Sequence, residues 1–239
     1  MHVVVLASRK GGAGKTNISR HLAVQAEVDG AGPVAIIDAD PMGGLTAWWN
    51  AREHTETPVL VETSLNSVGD TLSQLKERGF KTVIIDTPPA AGDAIRILIG
   101  FATLVVVPVR PSPDDLRAVG STVDVAEEIG KPLLFVMNGA HHRAKVTAGA
   151  AIALSRHAPV CDVVMHQRTD YASSSANGMV VSESDPTSPS TLEVQALWRY
   201  VEGYLQQCAT GRPRPSGPNP VAKSVHTRAP KGRPASTAA

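Results

Sequence analysis

Short, almost unbroken apolar runs recur along this chain, and between them lie stretches where apolar residues return every three or four positions. The runs cover residues 2–7, 34–38, 58–61, 81–86, 103–107, 132–137 and 160–164. A strand with one wet face alternates apolar and polar residues, whereas these runs do not, so they predict strands covered on both faces. Helical periodicity marks 16–29, 66–78, 114–129 and 143–157. Alternating strands and helices predict an α/β fold, a mostly parallel twisted sheet with right-handed crossovers and helices on both faces.

A final helix is expected near the end of this pattern. Ser190 and Glu193 have capping-box spacing, and Val194, Leu197, Trp198, Val201 and Leu205 recur along one face. That stripe reads as packing onto the sheet. The polar face carries Arg199 against Glu193 and Glu202, not the cationic cluster of a membrane-surface helix. Residues 165–189 are weakly periodic and rich in Ser, Thr and Asp, which reads as a surface loop with a short helix.

Composition narrows the class. At 239 residues and 42% hydrophobic content, the chain can bury one α/β domain, expected over residues 1–208. No apolar stretch approaches the roughly 18 residues of a membrane span, and the N-terminus lacks a signal-peptide layout. Cys161 and Cys208 form no C-x-x-C pair and read as small apolar residues of a reduced, cytoplasmic protein. The net charge of +1 is unevenly spread. Residues 209–239 hold Arg212, Arg214, Lys223, Arg228, Lys231 and Arg233 with no acid, leaving the remainder net negative. This Pro- and Ala-rich tail has too few large aliphatics to offset ordering entropy and is expected to be disordered. Two readings fit its composition, a basic arm touching nucleic acid and a solubilising tail.

The chemistry concentrates behind the first apolar run, in Ser8-Arg9-Lys10-Gly11-Gly12-Ala13-Gly14-Lys15-Thr16. Gly11, Gly12, Ala13 and Gly14 let successive backbone N–H groups face a phosphate chain, and the following helix adds its positive end. Lys15 suits the β- and γ-phosphates, and the Thr16 hydroxyl suits a Mg²⁺ coordination position. The strict pattern wants glycine where Arg9 stands, so this is a variant loop, and Lys10 is a cation that phosphate binding alone does not need. Two more strands end in acids: Asp38 and Asp40 after 34–37, and Asp86 after 82–85. A carboxylate there suits Mg²⁺ through a bound water, the role expected of Asp86. Asp40 is placed to orient an attacking water, and Asp38 to support the Mg²⁺ shell or Thr16. Taken singly, each aspartate also reads as a turn-forming cap.

On Lys10–Thr16, Asp38-Ala39-Asp40-Pro41, Asp86-Thr87-Pro88-Pro89 and the run Val107-Pro108-Val109-Arg110-Pro111-Ser112-Pro113-Asp114-Asp115, the sequence resembles the ParA/MinD family of deviant Walker A ATPases. Within it, the short plasmid-partition members of the ParF kind are most similar, and the likeness spans residues 2 to about 207. The resemblance implies a P-loop NTPase fold and an ATP-dependent sandwich homodimer with Mg²⁺, capable of higher assembly. Lys10 would cross to the partner's nucleotide, Asp40 would align the hydrolytic water, Asp115 would lie near nucleotide and interface, and Asn138 would read the adenine edge. A lone Asn after a strand also reads as a turn residue. Two departures are visible. Asn17 stands where a second hydroxyl residue is common, its amide still able to donate to an α-phosphate oxygen, and Met42 replaces a frequent Gln. Both bear on the hydrolysis rate, and slow hydrolysis suits a timer.

The family offers several roles. Nothing precedes the first strand, against a helix-turn-helix repressor, and cluster-binding cysteines are absent, against electron transfer. The basic tail stands against membrane-bound cell-division action. DNA segregation, or positioning of another cargo over the nucleoid, remains, with a small DNA-bound adaptor (ParB- or ParG-like) stimulating hydrolysis. Non-specific DNA would be held by Lys and Arg on phosphates, with Arg143, Lys145, Arg156, Arg168 and Arg199 as candidates, each also readable as an ordinary surface charge. An ATP-dependent small-molecule ligase or synthetase on the same fold is the alternative, and Lys10, which such enzymes generally lack, argues against it. A nearly inactive ATP-binding scaffold is a third reading, motivated by Asn17 and Met42.

Overall fold

The computed structural model describes residues 1–53, 55–89, 92–142 and 145–210. Every predicted apolar run contains a strand: β1 (His2–Leu6), β2 (Val34–Asp38), β3 (Val59–Leu60), β4 (Thr82–Asp86), β5 (Leu104–Val109), β6 (Leu133–Ala140) and β7 (Val160–His166). They form one sheet in the order β3-β2-β4-β1-β5-β6-β7, parallel at every pairing. The helices are α1 (Lys15–Val28), α2 (Gly44–Asn50), α3 (Val68–Glu77), α4 (Asp93–Phe101), α5 (Pro113–Ala118), α6 (Gly120–Ile129), α7 (Lys145–Leu154), α8 (Asp170–Ala176), α9 (Val181–Ser184) and α10 (Pro189–Thr210). No helix among the described residues is long and apolar enough to cross a membrane.

Alternate residues of each strand serve opposite faces, which is why the runs are apolar throughout. Val4, Leu6, Ile36, Ile84, Val106 and Leu134 pack beneath α1, α2 and α10, with Ile18, Leu22, Trp48, Leu197 and Trp198 filling that layer. Val3, Val5, Ile37, Ile85, Val105 and Phe135 face α3, α4, α6 and α7, against Leu72, Ile95, Leu98, Val123 and Leu154. The expected α10 stripe is buried as read: Val194, Leu197, Trp198, Val201 and Leu205 are at most 1% exposed.

Tertiary packing changed three details. The helix expected over 114–129 is two, α5 and α6, meeting at Val119 and Gly120. Residues 165–189 hold two helices, α8 and α9, rather than one, and bury Tyr171, Val180 and Val181 against the α1 layer. The cap of α10 is Ser188, whose Oγ accepts from the Thr191 N–H at 3.1 Å. Ser190 instead donates to Asp170 (2.6 Å), and Glu193 accepts from the His166 N–H (3.0 Å) and the Tyr171 hydroxyl (3.0 Å). Both predicted cap residues are therefore spent tying α10 to β7 and α8. Helix α10 continues to Thr210, two residues past the expected domain end at 208, and the basic tail from 211 onward lies outside the described residues.

Strand β1 sits between β4 and β5 at the centre of the sheet. The chain order leads leftward from it to β2 and rightward past it to β5, so a crevice opens beyond its carboxyl end, where open parallel sheets bind ligands. The loops or terminal residues of β1, β2, β4, β5 and β6 bring Lys10–Thr16, Asp38–Asp40, Asp86, Asp115 and Asn138 to that one edge.

Candidate nucleotide-binding site

The loop between β1 and α1 turns on two left-handed glycines, Gly12 (φ 77°) and Gly14 (φ 99°), Gly14 being the N-cap residue of α1. Lys15 opens the helix and is buried. Burial lowers its pKa, and attraction to Asp86 and Asp40 pulls the other way.

Asp38 and Asp86 are register partners at the ends of β2 and β4. Asp86 is fully buried; it accepts from the Thr16 hydroxyl on one oxygen and from the Ser19 hydroxyl on the other at 3.3 Å. Burial pushes its pKa up to about 7, helped by Asp38 and opposed by Thr16, Lys15 and Ser19. Ser19 carries no motif signal; helical spacing places it one turn beyond Thr16, on the same side. Asp38 accepts from the Asp40 N–H (3.1 Å) and the Thr46 N–H (2.8 Å), so it also caps the first turn of α2. Asp40 is half-buried and accepts from the Met42 N–H at 3.0 Å. Among the described residues no three His, Cys, Asp or Glu side chains converge as metal ligands. The donor set fits a Mg²⁺ shared with phosphates: a hydroxyl and a carboxylate in contact, all hard oxygens, with Asp38 adding negative charge that a cation would offset.

Lys10 does not face its own site acids. Its Nζ donates to Asp115 on α5, which also accepts from the Ser112 hydroxyl. Asp115 is 3% exposed and Lys10 38%. Burial would raise the carboxyl's pKa, but the Lys10 and Ser112 bonds outweigh it and hold Asp115 below the usual range. Asn138 is likewise engaged: its Nδ2 donates to the Ala13 carbonyl at 2.7 Å, bracing the phosphate loop. One of the two amide hydrogens is thereby used, leaving the other and the carbonyl oxygen for any adenine contact.

Behind Thr16, α1 presents Asn17, Arg20 and His21. Arg20 donates to Asn17 Oδ1 (2.7 Å), to the Tyr171 carbonyl (3.2 Å) and to the Ser175 hydroxyl. His21 is fully buried, its Nδ1 on the Asn17 carbonyl (2.6 Å) and its Nε2 accepting from the Val181 N–H (3.3 Å). Those partners fix the neutral Nδ1–H tautomer, and burial first, then the Arg20 charge, lowers its pKa to about 3 against the Asn17 bond. Neither Arg20 nor His21 belongs to a motif; only the folded contacts with α8 and α9 mark them.

The DNA candidates do not converge. Lys145 opens α7 and Arg156 lies in the turn after that helix ends, both exposed, on the sheet face of α3 and α4. Arg199 is exposed on α10, on the other face. Arg168 is held on Glu193 through Nη2 (2.7 Å) and Nε (3.1 Å), so its charge is locally offset. Arg143 lies outside the described residues.

The CobQ/CobB/MinD/ParA nucleotide binding domain matches residues 4–181. Maintenance of carboxysome distribution protein A of Halothiobacillus neapolitanus is 30% identical over 188 residues, covering 74% of this chain and 85% of that protein. Protein ParA of Rhizobium radiobacter is 35% identical over 130 residues, 54% of this chain and 58% of the relative. Among solved structures, the septum site-determining protein MinD of Pyrococcus horikoshii, complexed with Mg-ADP, superposes with a TM-score of 0.73 at 16% identity, covering 87% of this chain and 98% of that one.

Proposed function

The chain belongs to the CobQ/CobB/MinD/ParA nucleotide-binding family, and from that premise we propose that it is a Mg²⁺-dependent ATPase that dimerises on ATP and acts in DNA partition or cargo positioning. The reading is supported by two relatives, one named for maintaining carboxysome distribution and one named ParA. In it, the N–H groups of Gly11–Gly14 and Lys15 cradle the phosphates, Thr16 and Asp86 hold Mg²⁺, and Asp38 stiffens the turn that presents Asp40 to the hydrolytic water. Bound Mg²⁺ supplies charge neutralisation of the phosphates.

One observation carries the dimer part: Lys10, half-exposed, rests on Asp115 of its own chain and touches none of the acids around Lys15. It is a cation held in reserve, and transfer from Asp115 to a partner's nucleotide gives it a task. A small adaptor then stimulates hydrolysis and resets the switch. DNA is held without sequence preference. The folded candidates fall on opposite faces, so the six cations of the tail are assigned the larger share of phosphate contact. The domain ends near 210 and the protein acts in the cytoplasm over the nucleoid. The ligase reading calls for a substrate pocket by the phosphates; the cavity lined by Asp38, Asp40, Thr63, Leu65, Val68 and Leu98 holds about 160 Å³, below the roughly 300–1,000 Å³ of small-molecule sites.

The test compares ATP binding, dimerisation and ATPase rate in the parent, Lys15→Ala and Lys10→Ala. Lys15→Ala should abolish binding or dimerisation. Lys10→Ala should bind ATP within about threefold of the parent and lose dimer closure and hydrolysis by more than tenfold. A Lys10→Ala protein hydrolysing ATP like the parent would sink the trans-lysine role.

A further inference from the structure

Asn17 is the third residue of α1, and side chains of a helix's first turn lean towards its N-terminus. That end is where Gly14, Lys15 and Thr16 gather their N–H groups for phosphate. A hydroxyl at this position can turn a donor towards a phosphate oxygen by rotating. An amide cannot. One of its two flips offers NH₂, and the other sets a carbonyl oxygen against the phosphate.

Arg20 decides the flip. A guanidinium has five donors and no acceptor, so the Asn17 atom 2.7 Å from Arg20 Nη2 is the oxygen. The Asn17 NH₂ group therefore lies on the far side, and it finds no protein acceptor among the described residues. Arg20 is itself fixed, since the same guanidinium bonds the Tyr171 carbonyl at 3.2 Å and the Ser175 hydroxyl of α8. Burial lowers its pKa to about 10, which leaves it charged at neutral pH. A lysine is a point charge on a flexible stem and does not reproduce this planar fork on three separate acceptors.

We propose that Arg20 is a positioning residue for the nucleotide: it locks the Asn17 amide so that its NH₂ donates to a phosphate oxygen of ATP, compensating for the hydroxyl this chain lacks at position 17. The proposal rests on the nucleotide reading above. It also links nucleotide contact to α8, because the arginine that orients Asn17 is seated there.

A double-mutant cycle on the full chain tests it, with Mg²⁺–ATP affinity read by fluorescent-nucleotide titration and folding checked by thermal unfolding. Arg20→Met should weaken ATP binding about tenfold when residue 17 is Asn. In the Asn17→Thr background, whatever its own affinity, adding Arg20→Met should change binding by less than about twofold, because a hydroxyl orients itself. Arg20→Lys retains charge and should behave as Arg20→Met does; it serves if the methionine variant unfolds. Equal losses in both backgrounds would show that Arg20 acts through the fold and overturn the proposal, as would no loss in either. A parent chain that does not bind ATP, with Lys15→Ala indistinguishable from it, overturns the site reading and this proposal together.

Discussion

Gly14 shows how much one residue carries at this site. Its φ of 99° is a conformation that costs an L-residue about 1–2 kcal/mol, and a Cβ there would lie 2.1 Å from Asn138 Nδ2. Asn138 cannot simply retreat, since it braces the Ala13 carbonyl. Gly14→Ala should therefore weaken ATP binding by more than tenfold and lower the melting temperature. Gly14→Ala/Asn138→Ala should regain part of the stability but not the affinity, because the backbone strain remains. Calorimetric titration alongside thermal unfolding checks both. The need for glycine was legible in the motif. The reason that Asn138 is the obstacle was not, because residues 14 and 138 meet only when β1, β5 and β6 lie side by side.

At the scale of elements, His21 joins α1 to α9 as a neutral imidazole. Its folded pKa of about 3 lies below the ordinary value of 6.5. Between those values the unfolded chain takes up a proton that the folded chain refuses. Its contribution is thus complete above pH 6.5 and is lost as pH falls towards 3, at about 1.4 kcal/mol per pH unit. Unfolding free energies from urea titrations at pH 7.5, 6 and 5 should fall more steeply in the parent than in His21→Gln, by close to one proton. Identical slopes would mean that His21 titrates freely. Packing of α10 is tested more bluntly: Leu197→Ala removes a side chain 1% exposed and should cost about 2–5 kcal/mol. Helices such as α1 and α10 were legible because their apolar faces repeat over several turns. Helices α8 and α9 were not: at 7 and 4 residues they are too short to show a period. They are held by Arg20, His21 and Glu193 from distant segments.

For the whole molecule, the charge split gives the clearest test. Ending the chain at Thr210 removes six cations and no acid. ATP binding should persist, the melting temperature should move by less than about 2 °C, and affinity for random-sequence duplex DNA should fall with a shallower dependence on salt. Unchanged DNA affinity and salt slope would return the DNA surface to the folded dimer.

The sequence by itself determined the doubly covered parallel sheet, because strands buried on both faces must be apolar throughout. It also determined the phosphate loop and the acids that close β2 and β4, because those groups lie within a few residues of one another or end a run. Tertiary structure alone decided that Lys10 rests on Asp115, that Ser19 supports Asp86, that Arg20 orients Asn17, and that Glu193 ties α10 to β7 rather than capping it. Each of those contacts joins residues that have no shared period or motif, or depends on which face a helix turns inward. Such choices are made by packing, where a buried polar group must find its partner wherever the fold brings one.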